Sequence, residues 1–600
     1  MILAKSLFKR FLKLSAVVNL FTVITGVVLI WFYLSGLRLG NENVSIILLF
    51  FGVFLCTISM VFSYIFSTKE KLAKFSLFSL YILSYCLLTI YSFRYYFFGS
   101  DLAGEYTIAS IADTSNSWPI SLLAVGWGPR AGRYASSLSV SVLPIILSKV
   151  IGIDLLQLFK FVMPAIGAFV PVVLYLLIAE VYRDRKLAFL GAMLFAISHL
   201  QVFMLSYMFR RQVGHLFSVL GLLVIFKAHN IKDATIWKAL LALFFGGIVL
   251  SNYYIADWAF LLFLGILLAP IAAKILRRKM KQDGLILSWK MFLLYCGIAA
   301  GWLWFAANII FMEHLSNLQK SISLVIQYGP QYLWKVVTTG KFLPSTPGGT
   351  TVQEGLTGSA ILNIWYYFVV LLPGVGWLYA LIRKKNNIKE IALLSWFFLA
   401  FPYFFYESFY GVIGSSAPFA TGFLVFSVFT AISVHRSSWK KRSQKIFAIF
   451  SIMLIAVSLP LNLSLVNNQV LHFHPETEIS PQVRAIQWDI SFGDMKFVNW
   501  FQNFVPSEEA ITVDDRGFNL LMVANHLNKE HQSYPRFMIR SIFLIATSSF
   551  VQHGVWHTYV WGFSTRNVSS SVMIANNSIV YCDGNTFLLM QFSSQQNSLS

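Results

Sequence analysis

Phe75–Tyr106, with the sequence FSLFSLYILSYCLLTIYSFRYYFFGSDLAGEY, decides how the chain is read. Residues 75–98 form an apolar run broken only by the charge of Arg94, long enough to cross a ~30 Å hydrocarbon core, which takes about 20 helical residues. After Gly99 come two acids, Asp101 and Glu105, where such a helix would emerge into water. A carboxylate there is costly to place, so a pair of them points to function before anything else is known. Their i, i+4 spacing puts both on one face if the segment begins helically. Two carboxylates held close resist double ionisation, leaving one as a base and the other free to hold a proton, a metal or a sugar hydroxyl. Gly99 and Gly104 permit an abrupt turn and close approach of a substrate to the backbone. The plainer alternative is two acids solvated at a helix end.

The rest of the chain has the same texture. Of 600 residues, 57% are hydrophobic and 12% charged, and the mean hydropathy is +0.67, more apolar surface than one soluble core can hide. Apolar segments of about 20 residues, with Gly and Pro that membranes tolerate, make the chain mainly α, a polytopic bundle of transmembrane helices, and exclude a β-barrel. A net charge of +21 would point a soluble protein toward nucleic acid. Here the Lys and Arg residues gather in short loops between alternate apolar runs, which is a topology signal, and no nucleic-acid partner is expected. Cys56, Cys86 and Cys296 lie inside apolar segments and Cys582 lies alone near the end, so disulfide frameworks and CxxC metal pairs drop out. The basic start MILAKSLFKRFLK leads into a long apolar run with no clear small-residue cleavage site, the pattern of an uncleaved first span.

Hydropathy predicts about thirteen spans, near 15–35, 44–66, 75–98, 158–181, 187–206, 212–228, 237–255, 257–273, 288–311, 359–382, 390–410, 412–433 and 446–466. The loops holding Lys5, Lys9 and Arg10; Lys69, Lys71 and Lys74; Arg183, Arg185 and Lys186; Lys274, Arg277 and Arg278; Arg383, Lys384 and Lys385; and Arg436, Lys440 and Lys441 then share one side, which is cytoplasmic, as is the N-terminus. Leu138–Ile153 is apolar but short and carries Ser139, Ser141, Pro144 and Lys149; counting it as a span would turn every later basic loop outward. It reads as a re-entrant or interfacial helix, which makes 99–157 one large external loop with the two acids at its root. A second external loop, 312–359, is rich in Gly, Thr and Pro around KFLPSTPGGTTVQEG, the composition of a lid or binding segment. The tail, 467–600, is more polar. Helical patterns near 496–504 and in NLLMVANHL, a strand-like ITVDD and the hairpin signal IVYCDGNTFLL, with Asp583 and Gly584 at its turn, predict a small external soluble α/β domain.

Across the same external face lies FRRQVGHLF, with Arg210, Arg211 and Gln212, and with His215 one helical turn past Arg211. Positive charge on the outer side runs against the topology rule, so these arginines are expected to have a partner there. A phosphate suits them, because a guanidinium binds its oxygens bidentately and keeps its charge; snorkelling to lipid headgroups is the plainer account. Arg130 and Arg133 in GWGPRAGRY, and Arg94, are further external cations. SNYYIADW interrupts an apolar pair, where Tyr253, Tyr254 and Asp257 either form a bare helical turn or grip a sugar. Glu407 in YESFYG is a third external acid.

These features together resemble the GT-C superfamily of membrane glycosyltransferases, which take sugars from polyprenyl-phosphate carriers. The likeness covers about residues 75 to 600: many spans, a large first external loop with an acidic pair in GSDLAGEY, interfacial helices near SVLPIILSKVIGI, and a soluble C-terminal domain. Two extra spans, within residues 1–74, precede the catalytic module of 75–466, and the WWDYG signature of oligosaccharyltransferase catalytic subunits is absent. The resemblance implies an inverting transfer from a dolichyl- or undecaprenyl-phosphate sugar to a glycan, lipid or protein acceptor on the outer face of the plasma membrane. Asp101 would be general base, and Arg211, aided by Arg210 or His215, would stabilise the departing phosphate. Glu105 would orient the acceptor or, with Asp101, bind a divalent cation such as Mg or Mn. A secondary transporter or flippase of lipid-linked glycans is the alternative. Transporters are often built from repeated halves with ionisable groups near the midplane, whereas here the polar residues gather at one face and no repeat is visible.

Overall fold

The computed structural model describes residues 17–30, 32, 46–66, 70–94, 100–118, 134–197, 205–206, 208–228, 233–276, 287–306, 373–382, 387–410 and 427–435, together with six short strands between residues 511 and 590. Outside the tail the described chain is helical. In order the helices are α1 (Val17–Ile30), α2 (Ile46–Phe66), α3 (Glu70–Arg94), α4 (Ser100–Thr114), α5 (Leu138–Ser141), α6 (Leu143–Ile151), α7 (Leu155–Tyr182), α8 (Arg185–Ile197), α9 (Phe209–Lys227), α10 (Ala234–Ser251), α11 (Tyr253–Ile275), α12 (Trp289–Phe305), α13 (Pro373–Ile382) and α14 (Ile388–Tyr410), followed by a helical stretch over 427–435.

Among the described residues, four helices are long and apolar enough to cross a membrane: α7, α9, α10 and α11. The 28 residues of α7 rise about 42 Å at 1.5 Å per residue, enough for the core and both interfaces. Large apolar side chains also face outward, with Leu243 62%, Trp304 72% and Phe398 67% exposed. Water would penalise such a surface and lipid would not, which is how a membrane protein presents itself.

Polar residues mark where the helices turn. Asn252, extended at φ −160°, ends α10 and begins α11, its Oδ1 accepting from the Tyr254 and Ile255 amides at 2.9 and 3.2 Å. Arg183 sits in the left-handed region at φ 52° between α7 and α8, and the adjacent Asp184 caps α8 by accepting from Lys186 N and Leu187 N. The Arg183 turn falls in the loop the sequence placed between the spans 158–181 and 187–206, whereas Asn252 lies inside the predicted span 237–255, so α10 ends earlier than hydropathy alone placed it. The apolar stretch 138–153 forms two short helices, α5 and α6, broken at Val142 and ended at Gly152 with φ 75°; it is too short to span, and Ile146, Val150 and Ile151 lie exposed along it.

Small residues set the closest helix contacts. α1 and α2 run antiparallel, with Gly26 and Gly52 so close that a Cβ on either would lie 2.6 Å from the other's carbonyl oxygen. Asn19 Nδ2 donates to Ser63 Oγ at 2.8 Å, and Ser59 Oγ to the Asn19 carbonyl at 3.1 Å, fixing the register of the pair. α11 and α14 pack against one another where Gly265 lets the Trp396 backbone approach and the Trp258 and Trp396 rings meet at 5.8 Å.

At the Tyr182 end of α7, Lys389 Nζ donates to Glu180 Oε1 at 2.6 Å and Asn387 Nδ2 to the Val181 carbonyl at 2.5 Å, so α14 is latched to α7. There His435 lies between the Asp184 carboxylate, 3.1 Å from Nε2, and the Tyr64 hydroxyl, 3.0 Å from Nδ1. These groups sit at the opposite end of α7 from the acids of α4.

In the tail, β1 (Ile511–Val513) pairs parallel with β2 (Phe543–Ala546), which pairs antiparallel with β6 (Phe587–Met590) and through it with β5 (Ser578–Cys582). A separate antiparallel ribbon joins β3 (Val555–Val560) to β4 (Ser564–Ser569). Strands β5 and β6 flank the predicted Asp583–Gly584 turn. The helical patterns at 496–504 and 519–527, the loop 312–359 and the span 446–466 lie outside the described residues.

Candidate functional site

Residues 100–114 are helical, so Asp101 and Glu105 stand one turn apart on α4. The Glu105 side chain is fully buried, and its carboxylate is aimed at the first turn of α9. Oε2 accepts from the Phe209 backbone N–H at 2.9 Å, and Oε1 lies 3.1 Å from Arg210 Nη1 in a contact of opposite charges rather than an aligned hydrogen bond. Met208, the residue before α9, offers no side-chain cap of its own. Glu105 supplies that cap from another helix, with its negative charge at the positive end of the α9 dipole.

Arg210 is pinned from the other side by Tyr134, whose ring centroid lies 4.8 Å from the guanidinium carbon. The same ring fills the space beside Gly104, so close that a Cβ there would collide with it. Gly104 thus makes room for a tyrosine of this chain, where the sequence had suggested a substrate approaching the backbone. Below the pair, Phe159 touches both Tyr106 and Phe209, with ring centroids at 5.7 and 5.5 Å, which ties α4 and α9 to the π-helical turn Leu158–Val162 of α7.

Arg211 turns elsewhere. It is 1% exposed, its guanidinium carbon lies 5.9 Å from the Tyr254 ring centroid, and its Nε and Nη1 have no hydrogen-bond partner. Among the described residues, no carboxylate comes within ion-pairing distance of it. One turn on, His215 is equally buried, edge-on to Phe195 at 6.1 Å, and its Nε2 likewise has no hydrogen-bond partner. Burying a guanidinium and an imidazole nitrogen without acceptors is costly, and an anion bound at this point would repay it.

Gln212 has a different task. Its Nε2 donates to the Leu205 carbonyl at 2.6 Å and its side chain presses on Gly167 of α7, which holds the approach to α9 rather than facing Arg211.

The Tyr254 ring meets that of Tyr253 at a tilt of 46°, centroids 4.2 Å apart, and Tyr253 opens onto a cavity of about 240 Å³ between α10, α11, α12 and the residues just before α5. The walls are mostly apolar, with Ser136, Ser137, Tyr253, Asp257, Tyr295 and Trp302 among them. The Trp302 indole N–H donates to the Ser136 carbonyl at 3.2 Å and its ring stacks on Trp118 at 5.7 Å, closing the cavity toward α4. Of the three residues of SNYYIADW singled out in the sequence, Tyr254 lies beside Arg211 while Tyr253 and Asp257 line the cavity.

Asp101, Arg94 and Glu407 are placed by their backbones alone, on α4, at the end of α3 and near the end of α14; Arg130 and Arg133 lie outside the described residues. Tyr134, Ser136 and Trp302 were not singled out from the sequence, where nothing distinguishes them from other aromatic and small residues. A divalent cation on Glu105 does not fit this arrangement, because a guanidinium already faces one carboxylate oxygen and an amide N–H the other. Among the described residues no cluster of three or more His, Cys, Asp or Glu could hold a metal. Comparison of the chain with protein-family models and with curated proteins finds no match.

Proposed function

We propose that this protein is an integral membrane glycosyltransferase of GT-C type, moving a sugar from a polyprenyl phosphate to an acceptor on the outer membrane face. The observation that carries the reading is Arg211, a guanidinium buried at the first turn of an apolar helix with two nitrogens lacking hydrogen-bond acceptors. A lipid phosphate answers that chemistry, since it brings anionic oxygens to membrane depth on an apolar tail. It also gains charge as the sugar leaves, so Arg211 would hold the transition state more tightly than the ground state.

The other parts fall into place around that anion. Asp101, one turn ahead of Glu105, would take the proton of the acceptor hydroxyl as its oxygen attacks the anomeric carbon, inverting that centre. His215, as the neutral tautomer with its proton on Nε2, would donate from that nitrogen to a phosphate oxygen. Tyr253 and Asp257, on the wall of the adjoining cavity, would receive sugar or acceptor hydroxyls. The basic loops set the orientation: N-terminus inside, acids and tail outside. The finer architecture, about thirteen spans with an external α/β domain after residue 466, belongs to the same proposal.

The test is sugar transfer by the purified full chain in nanodiscs, supplied with polyprenyl-phosphate sugars and membrane-extracted acceptors. Transfer should disappear in Asp101→Asn and in Arg211→Met while both variants keep the parent's melting profile. Unchanged transfer in a folded Asp101→Asn protein would remove the enzymatic reading.

A further inference from the structure

The acids of GSDLAGEY look equivalent in sequence, but the structure separates them. Glu105 spends one oxygen on the Phe209 amide and the other on Arg210, and both side chains of that ion pair are almost wholly buried, at 0% and 4% exposure. Arg210 has Tyr134 on its far side. Arg211 N donates to the Met208 carbonyl at 3.0 Å, closing the first turn of α9 immediately after these two anchors.

Consecutive residues on a helix point about 100° apart. A carboxylate that holds the first amide of the helix fixes where α9 begins, and one that also holds the second residue's side chain fixes its rotation about its own axis. With both set, the direction of Arg211 is set too.

We infer that Glu105 is a positioning residue: it caps α9 from across the bundle and neutralises Arg210, so that Arg211 alone meets the anion in a fixed direction. This deepens the proposed phosphate reading and rests on it. Arg210 is thereby a structural cation, its charge answered within the protein. Its neutralisation leaves the site with one uncompensated guanidinium rather than two.

The experiment uses the full chain in nanodiscs, with farnesyl phosphate as the probe and two readouts: its affinity, and amide hydrogen exchange across residues 205–213. Glu105→Gln keeps an oxygen for the Phe209 N–H but leaves Arg210 unanswered, so exchange at the start of α9 should quicken by about tenfold or more and probe affinity should change with it. In the double variant Glu105→Gln/Arg210→Met the charge needing an answer is gone, and both readouts should return to within about threefold of the parent. Arg211→Met should abolish probe binding without quickening exchange.

The outcomes separate the two claims. Probe binding that survives Arg211→Met refutes the phosphate reading, while the exchange data still judge the positioning role. Parent-like exchange in Glu105→Gln overturns the positioning role. So does a double variant that fails to fold, or one that folds with parent-like exchange and still lacks probe binding, because Glu105 would then be serving something other than Arg210 and α9.

Discussion

The Arg210 guanidinium lies over the ring of Tyr134, and the edge of that same ring fills the space beside Gly104. One tyrosine thus sets the distance between α4 and α9, and the Glu105–Arg210 pair forms inside that distance. A methyl group at position 104 has to push the ring aside. Gly104→Ala should therefore destabilise the protein by about 1–3 kcal/mol, the usual penalty for overpacking a tight contact. Gly104→Ala combined with Tyr134→Leu should recover part of this loss, read as the midpoint of thermal unfolding in detergent.

Arg211 has the opposite character from its neighbour. Because no described acid answers its charge, Arg211→Met should leave thermal stability unchanged or slightly raised, whereas Arg210→Met leaves Glu105 buried without its counter-charge and should cost about 3–5 kcal/mol. Melting curves of the two single variants, compared directly, check this. Equal losses would mean that Arg211 is also a structural cation.

At the other end of α7, the Lys389–Glu180 contact predicts stability without function. Lys389→Met should lower the melting point by an amount equivalent to about 2–3 kcal/mol, since Glu180 keeps some access to solvent, and Lys389→Met/Glu180→Gln should lose less. Farnesyl phosphate binding in the folded variants should match the parent, because the latch lies at the far end of α7 from Arg211.

The Gly26–Gly52 contact makes the first two helices a tightly closed pair. Gly26→Leu should separate them, and with Cys86, Cys296 and Cys582 replaced by serine, a cysteine placed at position 22 should then lose the crosslinking to the native Cys56, by a short bifunctional reagent, that it shows without the leucine. Retained crosslinking would show that the backbones are not as close as the glycines require.

Much of this arrangement was legible in the chain itself, and the reason is local. An interruption in SNYYIADW could be read because polar groups break an apolar run, although the cap that puts the turn at Asn252 was not foreseen, and the turn at Arg183–Asp184 could be read because charges cannot remain in a hydrocarbon core. The short apolar segment after Leu138 was separable from a true span by length. The i, i+4 spacing of Asp101 and Glu105 did correspond to a helix.

What could not be read was partnership. Glu105 and Arg210 are 105 positions apart in the chain, and nothing in either neighbourhood states that one answers the other. Arg210, Arg211, Gln212 and His215 looked like a single phosphate-binding set, yet the helix sends Arg210 to Glu105 and Gln212 to Leu205, leaving Arg211 and His215 for an anion. Gly104 was read as room for a substrate because a glycine records that something comes close and not what it is.

The most direct measurement is the position of a lipid phosphate in the full-length protein, obtained by electron cryomicroscopy in nanodiscs containing undecaprenyl phosphate. The account predicts phosphorus density within about 4 Å of the Arg211 guanidinium, as charge-assisted contact requires, and on the side of α9 that faces Tyr254. Phosphate density settled elsewhere, with Arg211 contacting only protein or water, would contradict it.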